Sequence, residues 1–585
     1  MTETKNSPAK KETLPEKVLG ISLAVIALGA VAYHMISTQE LLLSTTGHLS
    51  IHLFFILSLV MLGSLRTNTT LWPLVLLLFA AALASVYYML TNRAELEFRY
   101  GFPETTDVFV GVLLIIAVLE SCRRSMGMSI PILACLAILY GLFGYHLPAA
   151  VRSYQTGFTL LFYQLALDGI YGSLLSLSAN YVFLFVVFGG TLQAAGISRL
   201  FEEIGILVGR ASRSGPAMVA VVGSAIIGSV TMSPSANIAI TGSYSIPLMK
   251  TAGYRPHQAA AIEGAASTGG QIMPPVMSSV AFIMSSITGI PYVRIIGAAL
   301  IPAILYFIST GVYAHLQALK LGLKPLRGEV NWRELLLESR LLIVPIAVIA
   351  GLLVLRFTPT FTVFWAILSV IAMGLLRPGT RPSWRDWVKG FTSGATTGAQ
   401  VGISLAALGV VVQIVSMTGL AQRLPGIVEL FSGGNLILAL GLIAAVTLVL
   451  GCGVPTPAAY LIVAMTTAPI LIQNFHLSLL QAHYFVFYYA VIAMLTPPVA
   501  PAAFVASALA GAPFMQTALE QVKPAIAGFI IPLAFIWAPA ILGEPKNLVL
   551  EVVLILCLTG AIILFQAAFV GYLTRAATVI ERFLY

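Results

Sequence analysis

The sequence predicts an all-α polytopic membrane protein of about 14 full spans plus two re-entrant helical hairpins, arranged as inverted-topology repeats. Three observations carry this. Of the 585 residues 58% are hydrophobic and 9% charged, whereas soluble domains carry roughly 25% charged residues, so a soluble enzyme is excluded. The apolar residues fall in runs near the ~20 residues that a spanning helix needs. The chain also matches itself at a constant offset of 223 residues. The four cysteines, Cys122, Cys135, Cys452 and Cys557, have no CxxC spacing and indicate neither a disulfide framework nor a zinc ribbon.

The first apolar run, residues 18–36, follows a polar tail bearing Lys5, Lys10, Lys11 and Lys17. It is long enough to span and lacks a small-residue cleavage pattern, so it reads as a retained helix and not a signal peptide. Further spans are expected at 50–65, 71–91, 107–122, 129–145, 177–198, 257–284 and 292–316. The remaining ones fall at 339–356, 360–376, 392–418, 482–508, 524–541 and 548–573. Basic residues test the threading, because cytoplasmic loops collect Lys and Arg. With the N-terminus inside, only Arg93, Arg99, Arg152, Arg294, Arg356, Arg423 and Lys546 of the 31 basic residues lie outside, and both termini are cytoplasmic. The net charge of +9 thus reports orientation and not nucleic-acid binding. This threading requires residues 215–249 and 435–473 to enter and return on one side.

The repeat is anchored by Ser233-Pro234 and Thr456-Pro457, by Pro274-Pro275 and Pro497-Pro498, and by Gln258-Ala259 and Gln481-Ala482. Gly196 and Gly228 find Gly419 and Gly451 at the same offset. Arg210, Arg213, Lys250 and Arg255 flank the first hairpin, whereas from Arg423 to Lys523 the second unit has no Lys or Arg. One hairpin therefore enters from inside and the other from outside, and such inverted units commonly place a site near the bilayer midplane.

Non-helical backbone inside lipid is tolerated only where protein or a wet cavity satisfies it. The first tip, residues 228–237, offers Gly228, Ser229, Thr231, Ser233, Ser235 and Asn237 around Pro234, and the second offers Gly451, Gly453, Pro455 and Thr456. Proline removes an amide donor and frees carbonyls that suit a cation, while the following half-helix presents amides that suit a carboxylate. The broken spans add Ser267, Thr268, Gly269, Gly270, Gln271 and Ser278 in the first unit, and Leu495 and Thr496 in the second. A lone membrane proline is an ordinary kink. Four breaks in two matched pairs instead point to a substrate and coupling-ion site.

Glu263 is the one acid well inside the repeat spans, with two readings: coupling a proton, or pairing with Arg255 or Lys250 nearer the cytoplasmic end. Asp168 falls in an outer segment read as a solvated surface helix. His48 and His52 share a helix face without a third ligand after them and read as interfacial. Gly394, Gly398 and Gly402 form a helix-packing row. There is neither a GxxxxGK[ST] phosphate loop nor an HExxH pair.

Three stretches, Gly228 through Pro247, Ala265 through Pro275 and Leu495 through Pro501, make the chain resemble the large membrane subunit of tripartite ATP-independent periplasmic (TRAP) transporters. The resemblance is nearest to the TAXI-type branch, in which a small four-helix subunit is fused ahead. It implies a division into a tail (1–17), a small-subunit-like region (18–127), a first half with hairpin 1 (128–320), a linker with scaffold helices (321–391), a second repeat (392–545) and a final span with its tail (546–585). It also implies an elevator-type secondary transporter in a bacterial or archaeal inner membrane, not an enzyme. A TAXI-type periplasmic binding protein would deliver a small organic anion, driven by sodium or protons, without a cofactor or transition metal. The second tip is poorer in hydroxyls than the better-known branch. A channel and a membrane-embedded lipid-modifying enzyme are the alternatives.

Overall fold

A computed structural model describes the chain except residues 1–13, 41–42, 68–71, 149–150, 198, 201–202, 205–206, 208–209, 211, 326–330, 377–380, 421–429, 544–546, 574, 576, 579–580 and 583–585. Most of the basic N-terminal tail, together with Arg327, Arg377, Arg423 and Lys546, falls outside the described residues. The described part is helical throughout, and ten helices are long and apolar enough to cross a membrane. Shorter apolar helices make up much of the rest, since the repeat spans are broken where the prolines predict.

Four helices, Leu14–Ser37, Thr45–Thr67, Trp72–Thr91 and Thr105–Met126, pack on one another, and all but Trp72–Thr91 pack on the 34-residue helix Trp384–Met417. Ser383 and Asp386 start that long helix with a reciprocal cap: the Ser383 Oγ accepts from the Asp386 amide (3.3 Å) and the Asp386 carboxylate accepts from the Ser383 amide (2.9 Å). Its glycine row is a packing device, as expected. A Cβ on Gly394 would sit 2.9 Å from the Val187 Cα, and one on Gly409 would strike the Gly169 carbonyl.

Two expectations need correction. The segment around Asp168 is not a solvated surface helix. It belongs to the helical run Phe158–Ala194, which packs along the long helix with Leu165, Leu167 and Ile170 buried, while Asp168 accepts from the Tyr100 hydroxyl at 2.8 Å. The histidines are not interfacial either. His52 lies fully buried between His34, whose Nε2 is 2.9 Å from the His52 Nδ1, and the Ser178 hydroxyl at 2.9 Å. The third histidine precedes the pair on the neighbouring helix, where spacing within one helix does not reveal it.

In the repeated units, each predicted tip is a helix–break–helix hairpin. The first runs Gly215–Thr231, then Met232 and Ser233, then helix from Pro234 to Ala252; the second runs Leu436–Gly453, then Val454 and Pro455, then Thr456–Gln473. The spans expected at 257–284 and 482–508 are each two helices, Pro256–Gly269 with Ser279–Thr288 and Leu479–Ala493 with Pro501–Ala510. Both Pro–Pro peptides are cis. The matched glutamines have matched work. Gln258 accepts from the Arg255 amide (3.3 Å) and Gln481 from the Ser478 amide (2.9 Å), each closing the first turn of its broken helix.

The packing is reciprocal as well. The second arm of hairpin 1 lies on Pro501–Ala510, and the second arm of hairpin 2 lies on Ser279–Thr288. Pro256–Gly269 also meets Pro501–Ala510, as Leu479–Ala493 meets Ser279–Thr288. Each unit therefore completes its partner's broken helix. The crossing points correspond at the offset of 223: Gly228 lies on Gly270, and Gly451 on Ala493.

Candidate functional site

The two tips and two broken helices surround a cavity of about 500 Å³. Thr231, Met232, Ser233, Pro234 and Ser235 reach it from tip 1, and Val454, Pro455, Thr456, Pro457 and Ala458 from tip 2. Gln271 and Ser279 come from the first broken helix, and Met494, Val499 and Pro501 from the second. The far wall is the long helix, with Thr397, Gln400 and Ser404, together with Ser125 and Ser129 beside it. No ionisable side chain is among these lining residues.

The tips differ for a local reason. Met232 turns the chain in the left-handed region, with φ 57°, and Ser233 is extended, its hydroxyl accepting from the Ala236 amide at 3.4 Å. The residue matching Met232 is Pro455, whose ring locks φ near −57°, so tip 2 passes through extended Val454 and Pro455 instead. Gln271 ties the tips together. Its amide nitrogen donates to the Met232 carbonyl (3.3 Å), and its oxygen accepts from the Thr456 hydroxyl (3.0 Å).

Four helices begin at the cavity, at Pro234, Ser279, Thr456 and Pro501, and the four segments before them end at Thr231, Ile272, Gly453 and Ala493, each at or next to a lining residue. Helix starts expose amides and carry about half a positive charge, while helix ends expose carbonyls. A cavity without side-chain charge thus holds main-chain dipoles of both signs. That suits a small anion together with a cation.

Of the proposed substrate residues, Thr231, Ser233, Ser235, Gln271 and Thr456 line the cavity. Thr231 Oγ1 is itself buried and has no hydrogen-bond partner. The others are occupied elsewhere. Ser229 donates to the Ile226 carbonyl (2.7 Å), Thr268 to Gly264 (2.8 Å) and Thr496 to Ile492 (2.8 Å), while the Ser278 oxygen accepts from the Val280 amide (3.2 Å). Asn237 bridges the Ser224 and Ser267 carbonyls at 3.0 and 3.4 Å.

Among the coupling-ion candidates, Ser233 and Pro455 line the cavity. Gly228, Gly270 and Gly451 serve close crossings of hairpin on broken helix, and a Cβ on Gly269 would strike the Tyr306 ring. Gly453 ends the first arm of hairpin 2, and Leu495 is buried without exposure. Glu263 lies away from the cavity, fully buried and surrounded by the hydroxyls of Ser224, Thr241, Ser245 and Ser267. The second of its two readings, pairing with Arg255 or Lys250, is not what the described contacts show: four hydroxyls surround the carboxylate, and the Lys250 ammonium donates to the Ala510 carbonyl at 2.8 Å.

The scaffold wall was missed. Its signal was present, because Thr397, Gln400 and Ser404 are spaced three and four apart and so share one face of an otherwise apolar helix.

Both hairpins and both broken helices fall within residues 112–541, which match the family "Tripartite ATP-independent periplasmic transporter, DctM component". A Haemophilus influenzae protein described as "Putative TRAP transporter large permease protein" is 24% identical over 180 residues, 30% of this chain and 42% of that one, so the match spans less than two thirds of that relative. "Uncharacterized protein y4mL" of Sinorhizobium fredii is 23% identical over 344 residues, 57% of this chain and 80% of that one. The family match extends over well more than half of the sequence, and the chain therefore belongs to the DctM component family of tripartite ATP-independent periplasmic transporters, whose members are transporter components and not enzymes.

Proposed function

We propose that this chain is the membrane permease of a tripartite system and works as a secondary active transporter of a small organic anion, in particular a carboxylate. The observation that carries the reading is the meeting of four helix starts and four helix ends at a cavity with no ionisable side chain in its lining. The anion would be held by the amide ends and by Thr231, Ser233, Gln271 and Thr456, and the coupling cation by freed carbonyls near the tips.

Residues 18–127 act as a fused small subunit, which is supported by the packing of those four helices on one another and of three of them on the long helix Trp384–Met417. A TAXI-type periplasmic binding protein delivers the solute at the outer face of the inner membrane, and both termini are cytoplasmic. The paired hairpins and broken helices move as one body past the long helix in an elevator motion, since the cavity already lies between them and that helix. A channel needs a continuous polar stripe, whereas the polar residues of the repeat cluster at the four breaks, and a lipid-modifying enzyme needs titratable groups at its site, of which there are none among the described lining residues.

The test is reconstitution into liposomes with the binding protein and a panel of small carboxylates, with sodium and proton gradients imposed separately. Uptake that saturates and reverses with an imposed cation gradient is expected. Non-saturating flux indifferent to both gradients would overturn the carrier reading.

A further inference from the structure

We infer that Glu263, with the hydroxyls of Ser224, Thr241, Ser245 and Ser267, forms the site where a coupling proton is taken up and released. This rests on the transporter reading and adds a proton site to the cation position near the tips.

The cage is drawn from three helical segments. Ser224 comes from the first arm of hairpin 1, Thr241 and Ser245 from the second arm, and Ser267 from the same broken helix as Glu263. One carboxylate oxygen lies 2.9 Å from the Ser224 hydroxyl and 2.9 Å from that of Ser267, and it also contacts Thr241; the other oxygen contacts Ser245. The Ser224 oxygen is 3.1 Å from that of Thr241 and 3.2 Å from that of Ser267, so the oxygens close directly on one another.

A buried ionised carboxylate with no counter-charge is costly, and it must gain a proton or a cation to cross an apolar barrier. Hydroxyls suit proton exchange. Each is both donor and acceptor, so four can donate to the carboxylate, or one can reverse and accept from the carboxyl O–H, with no side chain leaving its place. Uptake adds one proton to a carboxylate oxygen, with the Ser245 oxygen as acceptor. Release returns that proton to water on the opposite side.

Arg255 and His257 lie at the far end of Glu263's own helix, about two turns away, and the other titratable groups named here are engaged elsewhere. Tyr306 donates to the Ala265 carbonyl, Tyr313 to Glu520, and Lys250 to Ala510, while Glu520 also pairs with Lys523. His315 meets Ser214, and His483 meets Tyr460. None of these contacts is with Glu263.

The repeat sharpens the assignment. At the offset of 223, Ser224 keeps a hydroxyl as Thr447, but Glu263, Thr241, Ser245 and Ser267 become Val486, Ala464, Ala468 and Ala490, so the second unit has no carboxylate there to hold the same ion. The site is linked to the cavity through Asn237, which spans Ser224 and Ser267, and through Gln271, one helical turn beyond Ser267. Loading the carboxyl therefore alters how tip 1 seats.

The experiment is infrared spectroscopy of the full chain in liposomes between pH 5 and 9, in choline chloride and in sodium chloride, reading the protonated-carboxyl C=O stretch. A titrating band that is indifferent to sodium, absent in Glu263→Gln and displaced in Ser245→Ala is expected. A wild-type chain without such a band, or one whose band sodium abolishes, would overturn the proton assignment even if Glu263→Gln does not fold. The readout needs no transported solute. A persistent band in a chain that moves no carboxylate would instead overturn the transporter reading alone.

Discussion

The hydroxyl of Thr456 donates to the side-chain oxygen of Gln271 at 3.0 Å, joining the tip of the second hairpin to the break of the first unit's helix. Because Gln271 also donates to the Met232 carbonyl, one amide fixes the distance between the two tips. Gln271→Leu removes two neutral hydrogen bonds and strands buried partners, at a cost of about 2–4 kcal/mol. Thermal unfolding in detergent should register that loss, and uptake should fall at least about tenfold if each 1.4 kcal/mol acts on the occupied state. Thr456→Val combined with Gln271→Leu should be less than additive by about 1 kcal/mol. Strict additivity would show that the bond does not link the tips.

Gly228 crosses the first broken helix where an added Cβ would overlap the Gly270 Cα and approach the Asn237 amide nitrogen at 2.7 Å. Backbone cannot yield as a flexible side chain can. Gly228→Ala should therefore displace the hairpin, destabilise the chain by about 1–3 kcal/mol and cut uptake. Gly441→Ala, which meets nothing within 4 Å, is the matched control and should leave both unchanged. Equal effects from the two would refute the crossing as the cause.

Ser233 faces the cavity, whereas Thr268 is fully buried with its hydroxyl on the Gly264 carbonyl. Ser233→Trp should fill part of the roughly 500 Å³ space and abolish uptake with normal yield and melting. Thr268→Trp has no space to enter and should depress yield together with uptake, as overpacked cores do. Normal uptake in Ser233→Trp would remove this cavity from the transport path.

Much of this arrangement was legible because prolines and glycines act locally. Pro234, Pro457 and the two Pro–Pro pairs broke helices where their missing amides require, and the constant offset paired them before any contact was known. Side-chain destinations were less legible. Ser229, Thr268 and Thr496 are hydroxyls beside the breaks, yet each turns back onto a carbonyl three or four residues earlier, a choice that residue type alone does not reveal. The cage around Glu263 was hidden for the opposite reason. Its hydroxyls lie 4 to 39 residues from Glu263 on three helical segments, and only packing brings the more distant ones to the carboxylate.

The inverted orientation of the two hairpins rests on charge, and it makes a prediction that packing alone does not. Arg213 and Lys250 are exposed at the base of hairpin 1, and Gly433 and His476 are exposed at the base of hairpin 2. If positive loops remain inside, the first pair faces the cytoplasm and the second the opposite side. Cys135 and Cys557 are exposed thiols, so the measurement needs a chain in which all four native cysteines are replaced. In that background, cysteines at 213 and 250 should react with a membrane-impermeant maleimide only in inside-out vesicles, and those at 433 and 476 only in intact cells. Reciprocal packing, with each hairpin on the broken helix of the other unit, fits a two-fold axis in the membrane plane and one along its normal alike, and the labelling separates the two. Labelling of all four from the same side would leave the internal repeat standing but make it parallel, and the helix starts gathered at the cavity would then need another explanation.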